Sequence, residues 1–167
     1  MIHLIWSIIN LIIVVYFFYL LIGFILKGKR IFKPQFKGIS IFIMIIGIVQ
    51  IISASNSKKS TNHIAISKNY NKKDETKTKQ IILEDNLTLD INLHVQYSIQ
   101  QNNYIPIESY SSLTGLVMGY DWEFKSIDIN NYNSNEQTEF VVNGILKWNL
   151  FGITVYNTSK TFNGKIN

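Results

Sequence analysis

A short acidic and aromatic run is the densest group of potentially reactive side chains in the sequence: Tyr120, Asp121, Trp122 and Glu123. Two carboxylates can hydrolyse a glycosidic bond, but only when they face each other across a cleft at a set separation. Residues two apart on a strand share a face, so Asp121 and Glu123 would repel each other there, which favours a solvated edge or a weak cation site. Aromatic side chains often dominate the energetics of protein interfaces. The run therefore predicts a binding site for a sugar or a protein, with Trp122 in the core of a strand as the alternative.

His94 is the second candidate, because a strand would place it on one polar face with Asp90, Asn92 and Gln96. Such a face could hold a metal ion or an acid–base pair, but three histidines in the whole chain are a poor ligand set, and a solvated strand face is the alternative. The sequence contains no nucleophile elbow, zinc-protease helix, P-loop or dinucleotide fingerprint. It also lacks cysteine, which excludes disulfides, thiolate metal sites and a cysteine nucleophile. We therefore expect no catalytic residue, no metal site and no cofactor.

The elements that carry these candidates are predicted strands. Apolar and polar residues alternate from Leu87 to Gln100 and again from Phe140 to Leu150, which is the period of a strand with one buried face. A polar second face favours an antiparallel sheet. Other expected features are a bulge between Phe124 and Ile127, a loop over Asn130–Asn135, a short helix or wide connection over Ser109–Gly119, and turns at Asn149–Gly152 and Asn157–Lys160. Five to seven strands in this length predict a small antiparallel β-sandwich or open β-barrel.

Two uncharged apolar runs, residues 4–26 and 38–54, precede the strands. A helix needs about 20 apolar residues to cross the roughly 30 Å core of a bilayer, so the first run is long enough and the second is only just so. We expect an α+β membrane protein with a two-helix transmembrane hairpin over residues 1–54. Two alternatives stay open: the first run as a signal peptide, and release of the tail by cleavage near Ser53-Ala54-Ser55.

The loop between the two runs, residues 27–37, predicts the orientation of the hairpin. Its charged residues are five cations: Lys27, Lys29, Arg30, Lys33 and Lys37. Lysine and arginine close to spanning helices favour the cytoplasmic side. Five lysines also follow the second run, but they are more widely spaced. We therefore expect an integral protein of a bacterial inner membrane with the loop inside and both termini outside, and the inverted orientation is the alternative.

Asn10 and Gln50 are the only strongly polar amides in the two runs. An antiparallel hairpin would place them at similar depth, where a hydrogen bond between them would clamp the helices together. In the alternative interpretation, both amides lie near the lipid headgroups and bond to water.

The charge distribution indicates how the rest of the chain is divided. The formal charge of +5 comes from the hairpin loop, because residues 54–167 contain eleven lysines and eleven acidic residues. This balance gives little support to nucleic-acid binding. Residues 55–80 are polar and lysine-rich, and we expect a flexible tether there, with one short strand at His63–Ser67. The β domain is expected to occupy residues 81–167.

These features favour a non-enzymatic envelope protein. Its partners would be the lipid bilayer and a protein that the β domain binds or shields, in an accessory or immunity-type role. One alternative is a membrane-tethered envelope hydrolase that uses Asp121, Glu123 or His94. The other, in the inverted orientation, is a cytoplasmic-facing module whose lysine-rich tether contacts anionic lipids.

Overall fold

The computed structural model describes residues 2–32, 34–56, 62–67, 75–100, 103–130 and 138–166. Two helices are followed in these ranges by seven strands: α1 Ile2–Lys27, α2 Lys37–Asn56, β1 His63–Ala65, β2 Thr76–Asp85, β3 Leu89–Gln100, β4 Asn103–Gly115, β5 Tyr120–Asn130, β6 Thr138–Leu150 and β7 Ile153–Ile166. Two short 3₁₀ turns, Gly28–Ile31 and Pro34–Phe36, connect the helices. The α2 backbone stays helical through the possible cleavage segment Ser53–Ser55.

The N-terminal helix is the feature that relates the fold to a membrane. Among the described residues, the segment Ile2–Ile31, which contains α1, is the one helix long and apolar enough to cross a bilayer, and a signal sequence at the same place would satisfy the same criterion. The second apolar stretch, Pro34–Val49, is shorter. The sequence prediction is therefore confirmed as far as a long apolar N-terminal helix.

One face of α1 is buried along its length. The buried residues have spacings of three, seven and three, which place them on one side of a helix: Ser7, Asn10, Phe17 and Leu20. Towards the hairpin loop, Phe17 packs over Gly47 of α2, and the hydroxyls of Tyr16 and Ser40 are 2.8 Å apart and hydrogen-bonded. The polar half of the buried face, Ser7 and Asn10, points instead to the β domain.

The strands form two antiparallel sheets, with the orders β1-β4-β3-β2 and β5-β6-β7. The sheets pack face to face around a shared core in which Leu93 and Val95 of β3 meet Phe124 of β5 and Val142 of β6. Among the described strands, no ladder closes the two sheets into a barrel. The expected α+β chain with an antiparallel β domain is confirmed.

The predicted alternation of β3 is confirmed by the burial of its apolar residues: Leu89, Ile91, Leu93, Val95 and Tyr97. Leu87 precedes the strand and is 86% exposed. The second face is less exposed to solvent than expected, because Asn92 and Ser98 are also buried.

Two smaller predictions on the later strands are also confirmed. The register of β5 shifts between Phe124 and Ser126, and the chain turns between Leu150 and Ile153 with positive φ at Phe151 and Gly152.

Two local predictions were wrong. Asn157–Lys160 is not a turn, because β7 pairs with β6 through this segment; it contains no glycine or proline, and its threonine and serine residues suit an edge strand. Ser109–Gly119 is not a helix, because β4 continues to Gly115. The inward residues Ser109 and Ser111 are small and polar, so the strand lacks the apolar alternation that would have marked it.

The β domain begins before residue 81. Part of the expected tether is paired: β1 lies beside β4, and β2 begins at Thr76 beside β3. The lysines of β2, Lys77 and Lys79, lie on an exposed edge strand, where charge discourages pairing with other chains. Residues 57–61 and 68–74 of the expected tether, and residues 131–137 of the expected loop, lie outside the described residues.

Candidate functional site

A cleft opens where the two sheets separate along β4 and β5. The short strand β1 pairs with β4 only over Glu108–Tyr110, while β4 continues to Gly115. Beyond β1 lies a cavity of about 450 Å³ between β4 and β5, which we call the β4–β5 cleft. Its lining includes Asn62, His63, Tyr110, Ser112, Tyr120 and Asp121.

Asn62 ties the two sheets together at one end of the β4–β5 cleft. Its side-chain amide donates a hydrogen bond of 2.8 Å to the Trp122 carbonyl, and its side-chain oxygen accepts one of 3.1 Å from the Phe124 N–H. Its backbone carbonyl accepts a bond of 3.1 Å from the Ser111 N–H on β4. Asn62 thus bonds to the edge of β5 much as a paired strand would, and the cleft begins where this bridge stops.

Trp122 forms part of the floor of the cleft and belongs to the core. It is 2% exposed, and its indole N–H donates a hydrogen bond of 2.9 Å to the Ser111 hydroxyl. Its ring covers Gly144 of β6, where a Cβ atom would collide with it. The alternative from the sequence, Trp122 in the core of a strand, therefore describes this residue better than an exposed binding residue does.

Tyr120 is also buried, at the end of the cleft nearest α1. Burial raises the pKa of its phenol to about 12, so the hydroxyl is neutral at physiological pH. The Tyr120 hydroxyl lies 3.1 Å from Nδ1 of His3, and the His3 ring is 5.0 Å from that of Trp148.

The two predicted carboxylates have separate roles. Asp121 is exposed and lines the cleft. Glu123 pairs with Lys125 and, at 3.0 Å, with Lys147, and the hydrogen bonds from these lysines lower the pKa of its carboxyl. Glu123 does not line the cleft. The structure therefore does not bring the two acids to one concave site, as a glycosidase requires.

His94 is part of a row of three rings that crosses the first sheet. Its ring stacks on Tyr110 of β4 with centroids 4.3 Å apart, and the ring of His63 on β1 stacks on Tyr110 at 5.1 Å. Nδ1 of His63 is 3.5 Å from Oε1 of Glu108. Asn92, expected as a neighbour of His94, bonds instead to Gln80 and Thr114. Among the described residues, no three His, Asp or Glu side chains are grouped closely enough to hold a metal ion.

A second feature, which the sequence did not predict, connects α1 to the β domain. We call it the helix–domain joint; it consists of Trp6, Ser7 and Asn10 with the connections 116–119 and 149–151. The Trp6 indole N–H lies 3.1 Å from the carbonyl oxygens of both Gly119 and Asn149. The Ser7 hydroxyl lies 3.0 and 3.1 Å from the carbonyls of Leu116 and Met118.

Asn10 completes the joint. Its side-chain amide donates to the Trp6 carbonyl at 3.1 Å, and its oxygen accepts a bond of 2.8 Å from the Phe151 N–H. The side chain of Gln50 lies outside the described residues, so the Asn10–Gln50 pair stays a prediction. Among the described residues, the hydroxyls of Tyr16 and Ser40 form a hydrogen bond between the two helices.

The cations that predict the orientation lie at the other end of the hairpin. Lys27 ends α1, Lys29 and Arg30 lie in the first 3₁₀ turn, and Lys37 begins α2. Lys33 is outside the described residues. The joint and these cations therefore lie at opposite ends of α1.

Comparison with known proteins adds little. No family model and no curated protein matches the chain. A solved structure of a two-domain protein of unknown function from Bacteroides thetaiotaomicron is similar at 15% sequence identity with a TM-score of 0.39. The match covers 54% of this chain and 46% of that protein, so the chain spans about half of its length.

Proposed function

We propose that the protein is a membrane-anchored, non-enzymatic envelope module whose β domain binds an extended segment of a protein partner in the β4–β5 cleft. In this proposal, α1 and α2 form a transmembrane hairpin in a bacterial inner membrane, and the β domain lies on the extracytoplasmic side. The partner is bound or shielded, as an accessory or immunity-type protein would do.

The membrane part of the proposal is supported by the surface of α1. Most of its large apolar side chains are exposed, among them Ile12, Val15 and Ile25 at 60% or more. In water such a surface would be unfavourable, whereas in a bilayer it contacts acyl chains. The cations at the hairpin loop favour a cytoplasmic loop. The position of the joint at the other end of α1 supports a β domain on the opposite side of the membrane.

The cleft is the observation that carries the binding proposal. Among the described residues, no strand pairs with β4 on its outer edge from Ser112 to Gly115. An extended peptide can add a strand to such an edge, taking affinity from backbone hydrogen bonds and specificity from side-chain contacts. The cleft beside this edge offers room for the side chains of such a peptide.

The lining of the cleft indicates which segment would fit. It contains one carboxylate, Asp121, and no lysine or arginine. The ring of Tyr110 and the ring of His63 supply flat surfaces beside it. We therefore propose a partner segment that is extended and carries a lysine or arginine opposite Asp121.

A photo-crosslinking residue placed at Ser112 in the full-length protein, in native membranes, tests this function. Ser112 lines the cleft, and Thr161 on β7 is an exposed strand position that does not. We expect a discrete protein adduct from position 112 that is weak or absent from position 161. Equal adducts from both positions, or no protein adduct from position 112, would overturn the proposal.

Two matched acidic variants sharpen the test. Asp121 and Asp128 are both exposed on β5, but only Asp121 lines the cleft. Asp121→Lys should reduce the adduct from position 112 severalfold through repulsion of a basic segment, and Asp128→Lys should leave it unchanged. Equal effects of the two variants would exclude Asp121 as a contact of the partner.

A further inference from the structure

The β domain presents two uncharged, apolar connections beside the N-terminal part of α1. The segments 113–120 and 148–156 contain no charged residue. Their apolar side chains include Leu116, Met118 and Ile153, which are 55%, 42% and 47% exposed. We call the connections 116–119 and 150–153 the apolar tips.

The apolar tips are held against residues of α1 that lie inside its apolar run. An α-helix rises about 1.5 Å per residue, so about 20 residues cover the roughly 30 Å hydrocarbon core. If Val15, the middle of the apolar run, lies at the bilayer centre, the surface of the core falls about ten residues away, near Ile5. Ser7 and Asn10 then lie about 3 Å and about 8 Å below that surface, and they bond directly to the tips.

Many backbone groups of the tips and their flanks have hydrogen-bond partners within the protein. Irregular backbone is tolerated at membrane depth only where its polar groups have partners in the protein. Five such groups bond to α1 side chains: the carbonyls of Leu116, Met118, Gly119 and Asn149 and the N–H of Phe151. Four further bonds link backbone groups of the β domain, with the N–H donors of Leu116, Val117, Tyr120 and Asn149. At an ordinary turn, water would supply these hydrogen bonds to the backbone. Here they come from the side chains of Trp6, Ser7 and Asn10.

Phe151 extends this contact deeper along the hairpin. It has a φ of 47°, in the left-handed region that bulky residues rarely adopt. Its ring lies 5.5 Å from that of Phe17, seven residues further along α1 than Asn10. A large apolar side chain is therefore kept at a turn position that favours glycine or asparagine, and it points towards the middle of the apolar run.

We infer that the apolar tips insert into the outer leaflet of the bilayer and bind its acyl chains, so that the β domain is seated in the membrane surface and not suspended above it. We assign lipid as the occupant because the exposed apolar side chains of the tips lie at the same depth as exposed apolar side chains of α1. The inference rests on the proposed membrane anchoring. It does not need a partner in the β4–β5 cleft, although Val117 of one tip also lines that cleft.

The absence of cysteine makes the test direct. Met118→Cys and, separately, Leu116→Cys in the full-length protein are labelled with an environment-sensitive fluorophore and reconstituted in phosphatidylcholine–phosphatidylglycerol vesicles. Quenching by lipids that carry a spin label high on the acyl chain is compared with quenching by aqueous iodide. Asp128→Cys is the control for an exposed position of the β domain, and Val15→Cys reports on α1 itself.

We expect the labels at positions 118 and 116 to be quenched severalfold more by the lipid-borne group, relative to iodide, than the label at position 128. If both tip labels behave like position 128 while position 15 is shielded from iodide, the tips lie in water and this inference is wrong. If position 15 is also open to iodide, the membrane anchoring itself fails, and with it the inference.

Discussion

The side-chain oxygen of Asn10 on α1 accepts a hydrogen bond of 2.8 Å from the backbone N–H of Phe151, 141 residues later in the chain. The bond fixes the β6–β7 turn against the helix, and Asn10 is 2% exposed. A polar residue in a largely apolar helix therefore receives its partner from the β domain, and this bond joins α1 and the domain at a defined point.

Replacing Asn10 tests how far this bond stabilises the joint. Asn10→Leu keeps a similar side-chain volume but leaves the Phe151 N–H without its acceptor, which should cost about 1–3 kcal/mol. We expect faster hydrogen exchange over residues 149–152 in detergent-solubilised protein. Ile12→Leu, at a position 62% exposed on the same helix, is the control and should leave the exchange unchanged. Unchanged exchange in Asn10→Leu would show that the bond does not hold the turn.

Gly119 tests the close approach of the same helix and the β4–β5 connection. It has a φ of 84°, and an added Cβ would collide with the Asn10 side-chain amide. Gly28 also has positive φ, at 59°, but has open space around it. Gly28→Ala should therefore cost only the backbone strain of about 1–2 kcal/mol, while Gly119→Ala should cost about 1–3 kcal/mol more. Thermal unfolding followed by tryptophan fluorescence measures both, and equal losses would contradict the contact.

Gly144 tests the packing of Trp122 in the floor of the cleft. Gly144→Ala would push a methyl group into the indole ring, and overpacking of this kind costs about 1–3 kcal/mol. Gly38→Ala, in α2 with no atom nearby, is the control and should be neutral or slightly stabilising. A loss of unfolding temperature in Gly144→Ala together with a changed tryptophan emission is the expected result. An unaltered emission spectrum would place Trp122 elsewhere.

Substitution of Glu123 tests how the stability of the folded protein depends on acid pH. Lys125 and Lys147 lower the pKa of its carboxyl below the ordinary value of 4.5. The folded state therefore gains stability when this carboxylate is ionised, and the gain is lost as the pH falls from about 4.5 through the lowered pKa. Glu123→Gln should reduce the unfolding temperature at pH 7, by an amount worth at most about 1 kcal/mol because the pair is partly exposed.

The difference between wild type and Glu123→Gln should vanish at acid pH. Glu139→Gln is the control, since Glu139 and Lys165 are more than half exposed and 3.8 Å apart; this variant should have little effect at any pH. A difference in Glu123→Gln that persists below the lowered pKa would show that the side chain acts through packing and not through charge.

The alternation of apolar and polar residues made β3 and β6 predictable from the sequence. The alternating apolar residues Leu89–Tyr97 of β3 are buried, and so are Phe140, Val142 and Leu146 of β6, because a strand with one buried face imposes that period. β4 was missed for the opposite reason. Its inward residues include Ser109 and Ser111, and Ser111 is there to accept the indole N–H of Trp122, a requirement that arises only after the two sheets pack.

The candidate sites were predictable only in part. The sequence identified Tyr120, Asp121 and Trp122, which line the cleft. It did not identify Asn62, which precedes β1, or Tyr110 of β4, because pairing within the first sheet brings these two residues to the cleft. It also singled out Asn10, but as the partner of Gln50 or of water and not of the β domain. Sequence alone could not name Phe151, because the β6–β7 turn reaches α1 only through the tertiary fold.

Labelling of introduced cysteines in intact cells tests the central claim, an anchored β domain outside the cytoplasm, most directly. Asp128→Cys marks the β domain and Gly28→Cys marks the hairpin loop, in a chain with no other cysteine. A membrane-impermeant maleimide should label position 128 in intact cells; where an outer membrane exists, it is opened first. The same reagent should label position 28 only after the inner membrane is permeabilised. Labelling of position 28 but not of position 128 in intact cells would contradict the claim and place the β domain in the cytoplasm.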